Sequence, residues 1–457
     1  MNSTTEKRIA LISVHGDPAI EIGKEEAGGQ NVYVRNVGEA LAHLGWQVDM
    51  FTRKVSLEQD SIVEHSENCR TIRLKAGPLE FVPRDEIFEF LPEFVDNFLK
   101  FQVKNDFTYQ LVHTNYWLSS WVGMELKKIQ HSKQIHTYHS LGAVKYNTIE
   151  NIPQIATVRL AVEKEVLEKA ERIVATSPQE QQHMRSLVST KGNIDIIPCG
   201  TDIQRFGSIA REAARAKLGI DKEAKVVLYV GRFDPRKGIE TLVRAVNESG
   251  LRDSKNLQLI IGGGSTPGNS DGIERDRIEQ IVNELGMINF TTFAGRLSQD
   301  ILPTYYAAAD VCVVPSHYEP FGLVAIEAMA SGTPVVASDV GGLQFTVVNE
   351  ETGLLAAPQD VDAFASAIDR ILLAPEWRDE LGKAGRKRVE TKFSWDGVAH
   401  QLSELYTELL QPQPVASTAK ELVESTAELV QSAAKELVES TVELVQSTAK
   451  QPVLVAK

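Results

Sequence analysis

The chain has 457 residues, 42% hydrophobic and 24% charged, the balance of a soluble globular protein with a full core, and its length calls for two or three domains. A formal net charge of −14 excludes a nucleic-acid binder with a basic face and electrostatic docking on anionic lipid, while leaving room for small anions held by local groups. No apolar run approaches the ~18 residues that span a bilayer. The N-terminal apolar stretch is too short for a signal peptide, and Cys69, Cys199 and Cys312 have neither metal nor redox spacing, so a cytoplasmic, reducing setting is expected.

Along the first half, strand-like and helix-like runs alternate. RIALISV at 8–14 reads as a buried strand. From 30 to 44 the period turns helical, with Val34, Val37, Leu41 and Leu44 on one face and Gly45 as the stop. WQVDMFT is the next strand, and 84–103 is an amphipathic segment. LVHTN, a helix at 117–128, QIHTYH, a helix at 155–170, RIVATS and IDIIP continue the alternation. The second half repeats it: KVVLYVG, a helix at 237–247, LQLIIGG, a helix at 277–285, then DVCVVPS and TPVVASD flanking a helix that begins near Gly322. Alternation of this kind makes two parallel sheets with helices on both faces, an α/β architecture of two doubly wound domains facing a central cleft. The charged, Ala-rich stretch at 200–224 joins them. The expected division is 1–200, 201–393, a helix at 394–411 that crosses back to the first domain, and a tail at 412–457.

The tail follows the breaker QPQPV and carries a 15-residue repeat, STAKELVESTAELVQ then SAAKELVESTVELVQ. Leu422, Leu429, Leu437 and Leu444 form a narrow, nearly straight apolar stripe. It reads either as a solvated helix or as a surface for self-association or a partner.

Four motifs carry chemistry. EPFGLVAIE at 319–327 joins a strand to a helix. The amides of Phe321, Gly322 and Leu323 would sit at a helix N-terminus, suited to hydroxyls or an anion, and Glu319 and Glu327 are acceptors suited to sugar hydroxyls. VGRFDPRKGIETL places Arg232 and Lys237 at a strand end, where a guanidinium and an ammonium could clamp a diphosphate; the alternative is a charged capping loop. GKEEAGGQNVYV puts Gly28 and Gly29 before a helix, where backbone can approach phosphate, but lacks the G-x-G-x-x-G spacing of a dinucleotide site. Gly262, Gly263 and Gly264 are a weaker signal of the same kind. HTYHSLGAVK brings His139 to a strand end, with His136 on the opposite strand face and so no metal pair. Asp360-Val361-Asp362 looks like a metal motif but precedes a helical run, so capping explains it better.

Together these motifs resemble the retaining family-4 glycosyltransferases of the GT-B fold, over almost the whole chain to about residue 410. The resemblance implies that Arg232 and Lys237 hold the nucleotide-sugar diphosphate and that Glu327 binds the ribose hydroxyls. Glu319 and the amides of Phe321, Gly322 and Leu323 would hold the transferred sugar. Gly29 would face the diphosphate, His139 the reacting sugar, and backbone near Arg296 and Leu297 the base, with no catalytic metal or cofactor. Two subfamilies compete for the acceptor. Sucrose-phosphate synthases share Gly28-Gly29-Gln30, HSLG followed by Lys145, and a segment like FVPRDEIFEFL. Inositol-phosphate glycosyltransferases of the mycothiol pathway share NVYV, which includes Asn31, and NYWLSSWVG, with Asn115 where they carry His. Both use phosphorylated acceptors, and Arg84, Tyr116, Ser140, Lys145 and Arg159 match their phosphate-site positions. Gln30 and Lys145 tilt the reading toward fructose 6-phosphate, with UDP-glucose or ADP-glucose as donor. The absence of a phosphatase-like segment implies a separate downstream phosphatase. The rival classes are a nucleotide-sugar epimerase or hydrolase, and a non-catalytic sugar-nucleotide sensor.

Overall fold

The computed structural model describes residues 7–20, 28–147 and 151–411; the repeat tail expected at 412–457 lies outside them. In the first half, the strands are β1 (Arg8–Ile12), β2 (Gln47–Arg53), β3 (Ile62–Ser66), β4 (Cys69–Leu74), β5 (Leu111–Asn115), β6 (Lys133–Thr137), β7 (Arg172–Ala175) and β8 (Ile194–Ile196). They form one sheet in the order β3-β4-β2-β1-β5-β6-β7-β8. The second half contributes β9 (Lys225–Val230), β10 (Leu257–Gly262), β11 (Thr291–Gly295), β12 (Val311–Val314), β13 (Val335–Ser338) and β14 (Gly353–Ala356), ordered β11-β10-β9-β12-β13-β14. Every pairing is parallel except the edge pair β3–β4.

The central strands are Val-, Ile- and Leu-rich because helices cover both sheet faces. Ile9 through Ile12 and Val226 through Leu228 are all buried, each group in the middle of its sheet. The helix Gly29–His43 buries Val34, Val37 and Leu41 against the first sheet. Among the parallel strands of each sheet the order reverses once, at β1/β5 and at β9/β12. Those switch points open a crevice at the strands' carboxyl ends, where ligands bind in this architecture.

Both halves belong to one compact unit that extends to Thr407. The last helix, Trp395–Leu410, returns to the first sheet. Trp46 donates its indole N–H to Ser403 Oγ at 2.9 Å, and Tyr406 Oη meets His113 Nδ1 at 2.5 Å. The two linkers lie side by side, with Thr201 donating its N–H to the Phe393 carbonyl at 2.7 Å.

Several expected elements differ. The segment 84–103 is not one helix but a 3-10 turn, Arg84–Phe90, followed by the helix Leu91–Lys104, because Pro92 in the first turn starts a new helix. The helix expected at 277–285 begins at Ser270. Strands β3, β4, β11 and β14 had no strong sequence signal; β3 is a half-exposed edge strand without a continuous apolar run. Asp360 caps the helix Val361–Leu373 by accepting the Ala363 N–H at 3.0 Å. Among the described residues, no helix is long and apolar enough to cross a membrane.

Candidate functional site

At the β9/β12 switch point, two loops meet. The loop after β9 passes through Asp234, whose carboxylate accepts the Arg236 N–H at 3.0 Å and caps the turn Pro235–Lys237. It presents Lys237 Nζ to Glu319 Oε2 at 2.6 Å. Arg232, half exposed, stands 3.8 Å from Asp234. Burial works against the Asp234 charge, but Arg236 and Arg232 hold its carboxyl down at about 2. Arg232, Lys237 and Glu319, 82 residues apart at the extremes of the ion pair, therefore share one wall.

The 319–327 motif builds the adjoining helix start. Gly322 is left-handed, with φ 98, and caps the helix Leu323–Ala330. A Cβ at that position would stand 2.6 Å from Leu343 Cδ2, so glycine alone fits both the angle and the space. Phe321 is buried edge-on against Phe393, and the N–H groups of Phe321, Gly322 and Leu323 find no acceptor among the described residues. They are donors available at a helix N-terminus. One turn on, Glu327 is buried and accepts the Tyr306 hydroxyl at 2.8 Å. Burial pushes its carboxyl up to about 7, although Tyr306 and Arg205 pull the other way.

The first half supplies the facing wall. Gly29 opens the helix Gly29–His43, and a Cβ there would lie 3.1 Å from Leu323 Cδ1. The starts of the two site helices thus abut. Two neighbouring groups are engaged internally: the Gly28 N–H donates to Asn31 Oδ1 at 3.1 Å, and Asn31 Nδ2 donates to the Asp17 carbonyl at 3.0 Å. Asn31 therefore braces the loop after β1. Gln30 Nε2 bridges Ser13 Oγ at 2.9 Å and the Asn115 carbonyl at 3.4 Å.

His139 lies beyond the end of β6 in the left-handed region, φ 58, as does Tyr116 beyond β5, φ 74. Strain of this kind costs about 1–3 kcal/mol per residue and gathers at functional sites. His139 Nε2 is 2.8 Å from Asn115 Oδ1. Asn115 directs its Nδ2 at the carbonyls of Ile12 and His113, so its Oδ1 accepts and His139 Nε2 carries the proton. Burial lowers the imidazole to about 3, so the ring is neutral with Nδ1 as an acceptor.

Around Tyr116 the cations gather. Arg84 and Arg159 lie over its ring at 5.7 and 5.0 Å. Arg159 is fully buried. It donates to Glu163 at 2.7 Å, to Tyr116 Oη at 3.0 Å and to the Ser140 carbonyl at 2.7 Å, and Glu163 in turn accepts the Gly142 N–H. Its reach is thus through Tyr116 and Ser140. Lys145 lies beside Tyr146; burial first, then Arg159 and Arg84, depress its ammonium to about 8. On the second sheet's far side, Gly263 gives its N–H to the Gly295 carbonyl at 2.8 Å, and Leu297 closes over Gly262, beside Arg296.

Sequence reading did not single out His15, Asn115, Tyr306, Asp234 or Arg236 for a role. His15 lies three residues past the end of β1, its ring 4.5 Å from Tyr116, and its buried Nδ1 has no hydrogen-bond partner among the described residues. A histidine at the end of a central buried strand was the available signal.

Two sheets whose switch points face a shared crevice, with cations and a helix start on one wall and a histidine on the other, define a GT-B glycosyltransferase. Models of two families agree: glycosyl transferases group 1 match residues 210–388, and a glycosyl transferase 4-like domain matches residues 28–200. D-inositol 3-phosphate glycosyltransferase from Corynebacterium glutamicum is 36% identical over 415 residues, 89% of this chain and 98% of that protein. The chain belongs to the group 1 glycosyltransferase family. Sucrose-phosphate synthase from Thermosynechococcus elongatus is a solved structure with 53% identity and a TM-score of 0.83, covering 88% of this chain and 99% of that one. Anabaena HepE, solved with UDP and glucose, shares the fold at TM-score 0.69 and 19% identity, over 88% of this chain and all of that one.

Proposed function

We propose that the protein transfers glucose, with retention, from UDP-glucose or ADP-glucose to fructose 6-phosphate, giving sucrose 6-phosphate. The observation that carries this reading is the cluster of cations in which Arg84 and Arg159 lie over the Tyr116 ring and Lys145 lies over Tyr146. It suits the phosphate of an acceptor. The 53% identity to a sucrose-phosphate synthase supports fructose 6-phosphate. The 36% identity to D-inositol 3-phosphate glycosyltransferase favours a second reading, an inositol phosphate as acceptor; the two share the phosphorylated acceptor.

In the proposed reaction the bond from glucose C1 to the diphosphate oxygen breaks, and a bond from C1 to the acceptor oxygen forms on the same face. The acceptor hydroxyl's proton passes to the departing diphosphate. Arg232 and Lys237 stabilise the charge that develops on the diphosphate, the dominant contribution in reactions of this type. Glu319 and the amides of Phe321, Gly322 and Leu323 hold glucose hydroxyls; Glu327 holds the ribose. His139, neutral, accepts a glucose hydroxyl at Nδ1 and offers no proton. No carboxylate is needed as nucleophile on this route, so a trapped glycosyl adduct on Glu319 overturns it.

The test is an acceptor panel of fructose 6-phosphate, inositol phosphate and unphosphorylated fructose, each with both glucose donors. Sucrose 6-phosphate is the expected product. Turnover of inositol phosphate alone establishes the second reading. Release of glucose without any acceptor points to a hydrolase.

A further inference from the structure

A phenol and a carboxylate buried against each other cost desolvation that an apolar pair of the same shape would not. Tyr306 and Glu327 are such a pair, the tyrosine fully buried and the glutamate 8% exposed. Tyr306 lies on the short helix Leu302–Ala308, which Pro303 opens and whose Leu302, Tyr306 and Ala307 turn inward. Three contacts fix it. Its ring stands edge-on to Phe206 at 5.7 Å. Its carbonyl accepts the Thr333 hydroxyl at 2.7 Å. Its phenol donates to Glu327 Oε2 at 2.8 Å. Thr333 in turn gives its N–H to the Ala328 carbonyl at 3.0 Å, near the end of the helix that carries Glu327. The two helices are thus tied together twice, and the phenol is held at the carboxylate.

The other groups around the carboxylate are engaged elsewhere or uncharged. Arg205, on the turn Arg205–Gly207, has its Nε 3.7 Å from Asp202 Oδ2 and its Nη1 3.4 Å from Gln299 Oε1. Burial, then the Glu327 charge, keeps the Cys312 thiol of β12 neutral. Arg386, from the helix Pro375–Lys392, pairs with Glu390 at 2.6 Å and donates to the Ala330 carbonyl. The Ser331 hydroxyl donates to the backbone carbonyl of Glu327 at 3.1 Å, not to its side chain. Among the described residues, the Tyr306 hydroxyl on Oε2 is therefore the carboxylate's one hydrogen-bond donor, and Oε1 has none. Burial, then the Glu327 charge, holds the Tyr306 phenol well above its ordinary value, so it stays a donor through neutral pH.

We propose that Tyr306 is a positioning residue for the donor nucleotide: it holds Glu327 by Oε2 as a charged acceptor and leaves Oε1 for the ribose. This deepens the reading above and rests on its ribose assignment of Glu327. A hydrogen bond to the charged form favours that form, so Tyr306 offsets part of what burial costs the anion. With the phenol in place the carboxyl lies at about 7. Without it the carboxyl rises further, and the pH below which the ribose is poorly held rises with it.

The full-length protein tests this by calorimetric titration of UDP and ADP between pH 6 and 9, with no acceptor present. Affinity of Tyr306→Phe is taken as a ratio to wild type at each pH, which cancels the nucleotide's own titration. At pH 6 the variant should bind about tenfold more weakly, the lower end of the worth of one hydrogen bond to a charged group. By pH 9, where the carboxyl is ionised in both proteins, the loss should shrink to less than about threefold. In a Glu327→Gln background, Tyr306→Phe should change the affinity less than about twofold at every pH. A ratio equal at pH 6 and pH 9, or a full loss in the Glu327→Gln background, makes Tyr306 a packing residue and overturns the proposal while leaving the ribose assignment intact. If Glu327→Gln binds both nucleotides as wild type does at pH 8, or if wild type binds neither, the donor assignment and this proposal fall together.

Discussion

In the proposed reaction Glu327 acts as an anion, in surroundings that disfavour one. Its carboxyl is raised to about 7 by burial, and its ionised form, with two oxygens that only accept, is the stronger partner for two ribose hydroxyls. Below pH 7 the free protein carries it protonated, so ionisation has to accompany nucleotide binding. UDP affinity should therefore fall about tenfold for each pH unit below 7, and Glu327→Gln should bind weakly with a flat profile. The same shift has a stability consequence. A neutral Glu327 stabilises the fold fully below the ordinary carboxylate range, and that contribution is lost as pH rises through about 7. Thermal melts of wild type and Glu327→Gln between pH 5 and 8 check the sign. Arg159 tests a different balance. Its guanidinium is engaged internally by Glu163, Tyr116 and Ser140, and Glu163 beside it is buried too. Removing it strands a buried carboxylate, so Arg159→Met should cost about 3–5 kcal/mol in denaturant unfolding, whereas Arg159→Met/Glu163→Leu should recover most of the loss. These residues also mark where sequence reading stops. Arg232, Lys237 and Glu319 stood out because charged groups just past strand ends have few other reasons to be there, and Glu327 because it shares the 319–327 motif, inside the helix Leu323–Ala330. The internal engagements of Asn31 and Arg159 did not, because Asp17 and Tyr116 lie 14 and 43 residues away and nothing local pairs them.

At the scale of elements, two helix starts meet between the walls. Gly29 and Leu323 leave no room for a Cβ without movement of the leucine side chain. Gly29→Val should leave the melting temperature nearly unchanged, because residue 29 is at a helix start and not in the left-handed region. It should lower kcat about tenfold, since overpacking of about 1–3 kcal/mol falls on the closed state in which the walls meet. Adding Leu323→Ala should restore most of the rate; a double variant as slow as the single one contradicts steric closure. The order of strands and helices was readable because continuous apolar runs announce buried parallel strands. Strand β3 and the 3-10 turn Arg84–Phe90 were not, because an edge strand needs no apolar run and a short 3-10 turn keeps an amphipathic period close to helical.

For the whole molecule, charge and function pull in opposite directions. The tail from residue 413 holds four Lys and six Glu, net −2, so the remainder carries −12 of the total −14. Both proposed substrates are anions. If the field of the whole chain governed their capture, added salt would screen a repulsion and lower KM. Charges farther apart than the ~10 Å Debye length at 0.1 M salt are largely screened, whereas in the proposed complex Arg84 and Lys145 meet the acceptor phosphate at contact. Raising sodium chloride from ~50 to ~500 mM should therefore raise KM for fructose 6-phosphate about threefold, by screening the local attraction. Arg84→Gln, with one cation fewer, should show a shallower slope, and a glycerol series at fixed salt separates viscosity from screening. A KM that falls with salt in wild type would place control of binding in the net charge, and a slope unchanged in Arg84→Gln would remove that residue from the acceptor's pocket.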